Sequence, residues 1–309
     1  MLSRSCPICD RIDQSVLRFE STLDSGRLDE FAFASRKIPE YMYHRLMLCR
    51  RCDLLYASPI PSADHLAEEY QAAAFDSGEE ACHAARTYGQ SLPWIQQRLV
   101  DRDGALDIGA GDGAFLETLL ASGFTNVIGV EPSSAPIAAA SASVRPLLRQ
   151  EIFRAGVFSP SQFSLVCCFQ TLEHVTDPLA IVTEAFGILK PGGAVFLIVH
   201  NRKALSAKVL GRRSPIFDVE HLQLFSPQSM RHLLQRAGFS QVRIWPLVNR
   251  YPLRYWMRLF PLPRRAKSRG IALLDALGAG RILLPLPAGN IAAVGFKPPV
   301  LELSAADIS

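Results

Sequence analysis

Two pairs of cysteines near the start of the chain have the spacing of a metal site. Cys6 and Cys9 form one CxxC pair, and Cys49 and Cys52 form another after 39 intervening residues. Each pair directs two thiolates at one point, and two pairs supply the four sulfur ligands of a tetrahedral zinc site. The spacing therefore predicts structural zinc with no open coordination position. A redox pair and four unrelated buried cysteines are the alternatives.

The segment LDIGAGDG at residues 106–113 ends an apolar stretch with an acid and three glycines. Asp107 is followed by Gly109, Gly111 and Gly113, and the next residues, AFLETLL, have helical spacing. Glycine accepts positive φ and leaves no Cβ in the way of a ligand. The pattern predicts a buried strand, a loop whose N–H groups face a bound molecule, and a helix.

Further polar residues follow the strands predicted downstream. Glu131 and Pro132 come directly after the short strand predicted at 126–130. An acid at the end of the second strand of a βαβ unit is placed to accept both hydroxyls of a ribose. A second apolar strand is predicted at 163–169, where nearly every residue is apolar, as in a parallel strand buried on both faces. The polar residues after it are Gln170, Thr171, Glu173 and His174.

Strands and helices alternate through the middle of the chain. Additional strands are predicted near 144–148 and at 194–199, and helices at 114–120 and 179–189. This alternation predicts an α/β protein with an open parallel sheet. The ligand should lie across the C-terminal strand ends, where all of these motifs fall.

Residues 61–104 are predicted to form a helical linker. Ser62 has the position of an N-cap for a first helix, and a second helix is expected over 86–100. Three aromatic residues of this linker either pack in the core or reach back over the ligand site. They are Tyr70, Phe75 and Tyr88.

Two cofactors compete for the predicted crevice. Gly109, Gly111 and Ala114 satisfy the GxGxxA form of a dinucleotide loop, and Glu131 could hold the ribose of NAD. The acid at Asp107 favours a cofactor that carries positive charge nearby, such as the sulfonium and ammonium groups of S-adenosylmethionine. The same acid would be unfavourable beside a pyrophosphate.

As a set, the motifs LDIGAGDG, VEP, TLEHVTDP and ILKPGG resemble the class I S-adenosylmethionine-dependent methyltransferases over about residues 85–297. The four-cysteine leader with LLYASPIP resembles the zinc-binding module that precedes this domain in a bacterial group. That group includes sugar C-methyltransferases and proteins of polysaccharide biosynthesis. The resemblance implies a Rossmann-like, seven-stranded, mostly parallel sheet with an antiparallel last strand, behind a zinc-ribbon-like module.

The same resemblance assigns the cofactor residues. Residues 107–113 would hold the methionine end, Glu131 the ribose, Glu151 the adenine, and Gln170 with Thr171 the reactive end. The complete set implied for the cofactor is Asp107, Gly109, Ala110, Gly111, Gly113, Glu131, Pro132, Glu151, Ile152, Gln170 and Thr171.

Three residues are candidates for catalysis. In the sugar C-methyltransferases, a histidine in the position of His174, after Glu173, acts as a general base, which suits the near-neutral pKa of imidazole. In other class I methyltransferases the pair shapes the site, and the tyrosine that the sugar enzymes carry is Thr171 here. His221, on a loop after the fifth strand, either faces the acceptor or anchors its loop.

The C-terminal part contains a basic, aromatic insert. Helix spacing follows Ser226, and the last two strands are expected at 240–245 and 290–296, so residues 249–289 form an insert. Its segment 250–269 can be interpreted as an acceptor lid, as a peripheral membrane contact, or as a packed amphipathic helix with solvated arginines.

The length, the net charge and the distribution of apolar residues exclude several classes of protein. The chain has 309 residues, 33 Lys and Arg against 29 Asp and Glu, and a net charge of +4, too mild to imply nucleic acid. The N-terminus, MLSRSCPICD, lacks the pattern of a signal peptide, and no apolar run approaches the roughly 18 residues of a membrane span. A cytoplasmic protein with reduced cysteines is expected.

We therefore expect a zinc-binding module at 1–60, a helical linker at 61–104 and a methyltransferase domain at 105–300. The expected cofactors are S-adenosylmethionine and structural zinc. The expected acceptor is a small molecule, such as a sugar or glycan precursor, free or linked to a nucleotide or lipid. An NAD-dependent oxidoreductase or epimerase and a non-catalytic methyltransferase-like binding protein are the alternatives.

Overall fold

The computed structural model describes residues 1–24, 26, 40–72 and 78–299. The expectation for Phe75 lies outside these residues. The strands are β1 (Ser15–Phe19), β2 (Leu46–Cys49), β3 (Leu55–Ala57), β4 (Asp103–Ile108), β5 (Thr125–Glu131), β6 (Leu148–Gln150), β7 (Phe163–Phe169), β8 (Leu189–His200), β9 (Gln223–Leu224), β10 (Ser240–Pro252) and β11 (Leu283–Phe296). The helices are α1 (Ala63–Ala72), α2 (Gly78–Gly89), α3 (Leu92–Gln96), α4 (Ala114–Ala121), α5 (Ser134–Ala139), α6 (Pro178–Ile188), α7 (Leu205–Leu210), α8 (Pro227–Arg236), α9 (Leu253–Leu259) and α10 (Arg264–Ala276).

A seven-stranded sheet forms the centre of the protein. Its order is β10-β11-β8-β7-β4-β5-β6, and β11 runs antiparallel to both of its neighbours while the other neighbouring pairs are parallel. The neighbouring residues Cys167 and Cys168 of β7 belong to core clusters on opposite faces of the sheet. Helices α6 and α8 cover one face, and α2, α3 and α4 cover the other. The predicted fold is confirmed.

Proline and glycine explain two differences from the predicted elements. The third strand begins at Leu148 rather than near 144, because Pro146 lacks an N–H group and lies in a 3₁₀ turn. The single helix expected over 86–100 is two helices, since α2 ends at Gly89 and α3 begins after it with Pro93 in its first turn.

The last two strands extend far beyond their predicted ends. They pair from Ser240 with Phe296 to Pro252 with Leu283, so much of the predicted insert is an antiparallel arm. Helices α9 and α10 lie between the two strands of this arm. The prolines of β10 are tolerated because this strand is at the edge of the sheet.

A second, four-stranded sheet connects the N-terminal segment to the rest of the chain. Its order is β1-β2-β3-β9, and β9 lies between β8 and β10 along the chain. Leu55 pairs with Leu224, and Tyr56 pairs with Gln223. Among the described residues, no helix is long and apolar enough to cross a membrane.

Arg4 ties this N-terminal segment to two loops of the central domain. Its guanidinium donates to the carbonyls of Ala57 (2.8 Å), Thr176 (2.7 Å) and Leu222 (2.9 Å), and to Oε1 of Gln223 (2.9 Å). Burial lowers the pKa of Arg4 to about 10, which leaves it charged at neutral pH. The planar guanidinium thus satisfies acceptors from three separate parts of the chain.

Arg4→Ala should lower the free energy of unfolding by about 3 kcal/mol, because it leaves partly buried acceptors without a charged donor. Chemical denaturation monitored by circular dichroism measures the change. The matched control is Arg11→Ala, which removes an exposed pair with Asp13 at 2.8 Å and should change the free energy of unfolding far less, because solvent screens this pair. Equal losses for the two variants would contradict the role of Arg4.

Candidate active site

The glycine loop after β4 is shaped by two close approaches. The N–H groups of Gly109 and Ala110 donate to the carbonyl of Val130 at 2.9 and 3.0 Å. Gly109 has φ +74°, and a Cβ there would lie 2.3 Å from Oγ1 of Thr171, so only glycine fits. Gly111, at φ +56°, would place a Cβ with no atom within 4 Å. The loop therefore presents bare backbone to open space.

Glu131, at the end of β5, holds this loop in position. Its Oε2 accepts from the N–H of Gly111 and its Oε1 from the N–H of Ser133, both at 2.9 Å. Burial raises the pKa of Glu131, and these two hydrogen bonds act in the opposite direction. A carboxylate has lone pairs beyond these two bonds, so it can also accept from hydroxyl groups of a ligand.

A cavity of about 1130 Å³ opens over the C-terminal ends of the parallel strands. It extends from the glycine loop past β7 and β8 to the arm of β10 and β11. Most of the predicted site residues line one continuous space. They are Asp107, Gly109, Ala110, Gly111, Glu131, Pro132, Glu151, Ile152, Gln170, Thr171, His174 and His221.

Two of the predicted site residues do not line this cavity. Gly113 precedes α4 as its N-cap residue, with φ +77°. A Cβ there would lie 2.9 Å from Cγ2 of Val144, so a larger residue would clash with this side chain. Glu173 is fully buried, and its Oε1 accepts from the backbone N–H of His200 at 2.6 Å. Burial raises the pKa of Glu173 to about 8. The carboxyl of Glu173 therefore holds the backbone of His200 from outside the cavity.

Three histidines meet at the end of the cavity beyond the glycine loop. The ring centroids of His174 and His221 are 5.1 Å apart, and those of His200 and His221 are 4.9 Å apart. The carboxylate of Glu220 lies 3.7 Å from Nε2 of His221 and 4.0 Å from Nδ1 of His174. Two nitrogen bases and a carboxylate thus face one region, a combination that can accept a proton or hold a cation.

Hydrogen bonds orient two of these rings. Nδ1 of His221 lies 2.9 Å from the carbonyl of Ile216, which can only accept, so Nδ1 carries the proton and Nε2 the lone pair. Nδ1 of His174 lies 3.0 Å from the hydroxyl of Tyr70 and 3.2 Å from the carbonyl of Glu220. Tyr70 therefore reaches back to the site, as one of the two sequence interpretations proposed.

Acidic side chains outnumber basic ones in the cavity wall. Among the lining residues that the structure describes, nine are aspartate or glutamate, and Arg154 is the one lysine or arginine. Asp107 lies on the side of the glycine loop, whereas Asp218 and Glu220 lie beside the histidines. Such a wall attracts cations and repels phosphate.

The arm of β10 and β11 closes the cavity on one side. Tyr251, Tyr255, Trp256, Leu259 and Phe260 all line it. Their arginine neighbours, by contrast, form ion pairs with the linker helix α2. These pairs are Arg254 with Glu79 and Arg258 with Glu80. The contacts favour the interpretation of this segment as an acceptor lid.

The four N-terminal cysteines form a separate buried cluster. The Sγ atoms of Cys6, Cys9, Cys49 and Cys52 all lie within 4.8 Å of one another, and Cys6 and Cys52 are 3.5 Å apart. Four sulfurs at about 2.3 Å from one zinc ion would be roughly 3.8 Å apart, so the cluster fits the ion. Such a closed tetrahedron leaves no position for a substrate.

Each cysteine pair lies on a tight turn. The N–H groups of Asp10 and Asp53 donate to the carbonyls of Cys6 and Cys49 at 2.8 and 2.9 Å. Both aspartates adopt the left-handed conformation, with φ +54° and +66°. Asp53 also pairs with Arg202, which follows β8, so this turn contacts the methyltransferase domain directly.

Sequence reasoning missed two residues of the histidine cluster, His200 and Glu220. His200 is the last residue of β8, and its position at a strand end was the available signal. Glu220 precedes His221 directly, but no local pattern shows that the loop folds back onto the strand ends.

Three features together define a class I S-adenosylmethionine-dependent methyltransferase. They are the order of the seven strands, the glycine loop after β4 and the acid at the end of β5. The profile of the methyltransferase-domain family matches residues 83–244, and the chain belongs to this family. Methyl transfer is thereby favoured over the NAD-dependent and non-catalytic alternatives.

The chain is also similar to individual proteins. The chain is 28% identical over 183 residues to a ubiquinone biosynthesis O-methyltransferase of Acinetobacter baumannii, covering 54% of this chain and 77% of that one. It is 35% identical over 127 residues to the protein of the same name from Pseudomonas fluorescens, covering 38% and 54%. Among solved structures, the YcgJ protein of Bacillus subtilis aligns with a TM-score of 0.49 at 18% identity, covering 69% and 98%.

Zinc analysis of the purified protein should find about one ion per chain, lost when Cys6 and Cys9 are both changed to serine, because two thiolates cannot complete the site. Inductively coupled plasma mass spectrometry gives the ratio. Cys82→Ser is the matched control, since Cys82 is exposed and outside the cluster. A folded, metal-free wild-type protein prepared without chelator would contradict the four-cysteine site.

Proposed function

We propose that this methyltransferase transfers a methyl group to a hydroxyl oxygen of a small, hydroxylated ring compound. A sugar or glycan precursor is the acceptor class favoured by the resemblance of the N-terminal module. The observation that carries the proposal is the meeting of His174, His221 and Glu220 in the same cavity as the glycine loop. A base at this position serves an acceptor that must lose a proton.

The cofactor is proposed to lie along the glycine loop, with its sulfonium toward the histidines. Asp107 and the bare backbone at Gly111 would receive the methionine end, and Glu131 the ribose hydroxyls. Glu151 and Ile152 line the far end of the cavity, where the adenine would lie. Thr171 and Gln170 lie between the loop and the histidine cluster.

In the proposed reaction, an acceptor hydroxyl gives its proton to a histidine of the cluster, and its oxygen attacks the methyl carbon. The carbon–sulfur bond breaks with its electron pair going to sulfur, so S-adenosylhomocysteine leaves uncharged at sulfur. The protein aligns the three atoms in one line and excludes water. The lone pair at Nε2 of His221 suits the transfer of this proton.

The acidic side chains of the cavity wall limit whether an acceptor that carries phosphate groups can enter. Phosphate groups of a nucleotide or lipid carrier would be repelled inside the cavity, so we propose that a carrier stays outside. At the rim, Leu205 and Val209 of α7 are 75% and 74% exposed, and Lys208 and Arg212 beside them are exposed as well. This rim suits a phosphorylated or lipid-linked carrier better than the cavity does.

We propose that the chain divides at residues 60 and 104 into three consecutive segments. These segments are not independent folding units. Because β9 completes the sheet of the N-terminal module, residues 1–60 are expected to need the methyltransferase domain to fold. The four thiols of the module are consistent with the reducing cytoplasm, which we propose as the location.

Glu131→Ala should weaken the binding of S-adenosylmethionine by about 1–3 kcal/mol, because it removes acceptors from the ribose and from the glycine loop. In the wild type, binding should also weaken on acidification, and at a higher pH than for an exposed glutamate, since burial raises the pKa of Glu131. Isothermal titration calorimetry measures both effects. Glu117→Ala, on the exposed side of α4, is the control; unchanged affinity in Glu131→Ala would contradict the cofactor placement.

A panel of acceptors tests the reaction itself. Free sugars, nucleotide sugars, catechols and lipid-linked sugars in anionic vesicles are each incubated with S-adenosylmethionine carrying a ¹³C methyl group. We expect S-adenosylhomocysteine with at least one of these acceptors, and a methyl carbon bonded to oxygen by NMR. His221→Ala should slow turnover by about 100-fold, whereas exposed His65→Ala should not. Methyl transfer to carbon or nitrogen, or no transfer to the panel, would contradict the proposal.

A further inference from the structure

We propose that His174, Glu220 and His221 form a binding site for a divalent cation, distinct from the four-cysteine cluster. One ligand atom from each of these residues lies within 4.8 Å of the other two. Ligands at about 2.0–2.2 Å from one ion would be separated by roughly 3–4 Å, so shifts below about 1 Å close the site. Two imidazoles and one carboxylate are a known combination for divalent metals.

The surroundings of His221 are those of a metal ligand. Its Nδ1–H donates to the carbonyl of Ile216 at 2.9 Å, which directs the lone pair of Nε2 toward the carboxylate of Glu220. A backbone carbonyl on the remote ring nitrogen is the usual arrangement for a histidine that binds a metal. The ring is also fixed by its contacts with His200 and His174 on either side.

Hydrogen bonds also orient the ring of His174. The hydroxyl of Tyr70 and the carbonyl of Glu220 lie 3.0 and 3.2 Å from its Nδ1. The three proposed ligands are nitrogen and oxygen atoms, with no sulfur among them. Such donors suit Mn²⁺ and similar ions, while the cysteine cluster selects zinc.

Charge independently favours a cation at this position. Asp218 and Glu220 are both buried and line the cavity beside the histidines. Arg154, the one lysine or arginine among the described lining residues, instead follows Glu151 and Ile152, the residues proposed for the adenine. Neighbouring acidic side chains attract a cation and strengthen the binding of a divalent one.

The ion would also define the acceptor more narrowly. A cation held by three protein ligands keeps positions open for two neighbouring oxygens of an acceptor, such as those of a vicinal diol or a catechol. With the ion bound, Nε2 of His221 would be a ligand and not the base. The ion would instead lower the pKa of the bound hydroxyl, and the proton of that hydroxyl would pass to solvent. This role rests on the proposed function, whereas binding of the ion does not.

The test is a titration of the zinc-loaded protein with Mn²⁺, in which electron paramagnetic resonance measures the free ion. We expect about one Mn²⁺ per chain in the wild type and at least ten-fold weaker binding in Glu220→Gln. The matched control is Glu69→Gln, because Glu69 lies 3.7 Å from a single, exposed histidine, His65. This variant should bind Mn²⁺ as the wild type does.

His221→Phe provides a second variant that keeps an aromatic ring in the packed position and removes its nitrogen ligands. It should lose Mn²⁺ binding while S-adenosylmethionine binding in the same sample persists. Wild-type binding in both Glu220→Gln and His221→Phe, or no Mn²⁺ binding to the wild type, would overturn the site. If Mn²⁺ binds but no hydroxylated acceptor is methylated, the proposed function fails and the metal site stands.

Discussion

The hydrogen bonds of Glu173 hold together the three chain segments that carry the histidines. Its carboxyl accepts the N–H of His200, and its backbone carbonyl accepts those of Leu222 and Gln223 at 2.8 and 3.3 Å. His174 follows it directly, and His221 precedes Leu222. Burying a carboxyl is costly, and burial raises the pKa of Glu173 to about 8; the bond from His200 satisfies Oε1, while Oε2 is buried with no hydrogen-bond partner among the described residues. The cluster therefore depends on a residue that does not reach the cavity.

The same loop links the histidine cluster to the N-terminal module. Gln223 donates through Nε2 to the carbonyl of Val175 at 2.8 Å, accepts from Arg4, and pairs with Tyr56 across the β3–β9 ladder. Displacing the module would therefore move the loop that presents His221. This coupling gives the cysteine cluster a structural role in the site, although zinc there would have no open position for substrate.

More of the proposed cofactor half of the site than of the proposed acceptor half could be predicted from local sequence patterns. A glycine loop and an acid after the next strand are local patterns, so Gly109, Gly111 and Glu131 could be assigned from spacing. Strand 163–169 was predicted with its observed limits because all its residues face a core layer. Where proline and glycine interrupt a segment, as at Pro146 and Gly89, periodicity misplaced the element.

The acceptor half could not be predicted in this way because it is assembled from distant segments. Tyr70 lies more than a hundred residues before His200 and Glu220 along the chain, and only the tertiary fold brings the three together. The long arm of β10 and β11 was likewise interpreted as an insert, since its leucines and prolines do not alternate as a strand does. Its contribution to the cavity wall follows from pairing, which local sequence does not encode.

The central claim is that the methyl group is delivered at the histidine cluster. A crystal structure of the protein with S-adenosylmethionine bound tests it most directly. The account predicts that the ribose hydroxyls contact Glu131 and that the methyl carbon points toward His174 and His221. A methyl carbon directed away from both histidines would contradict the account.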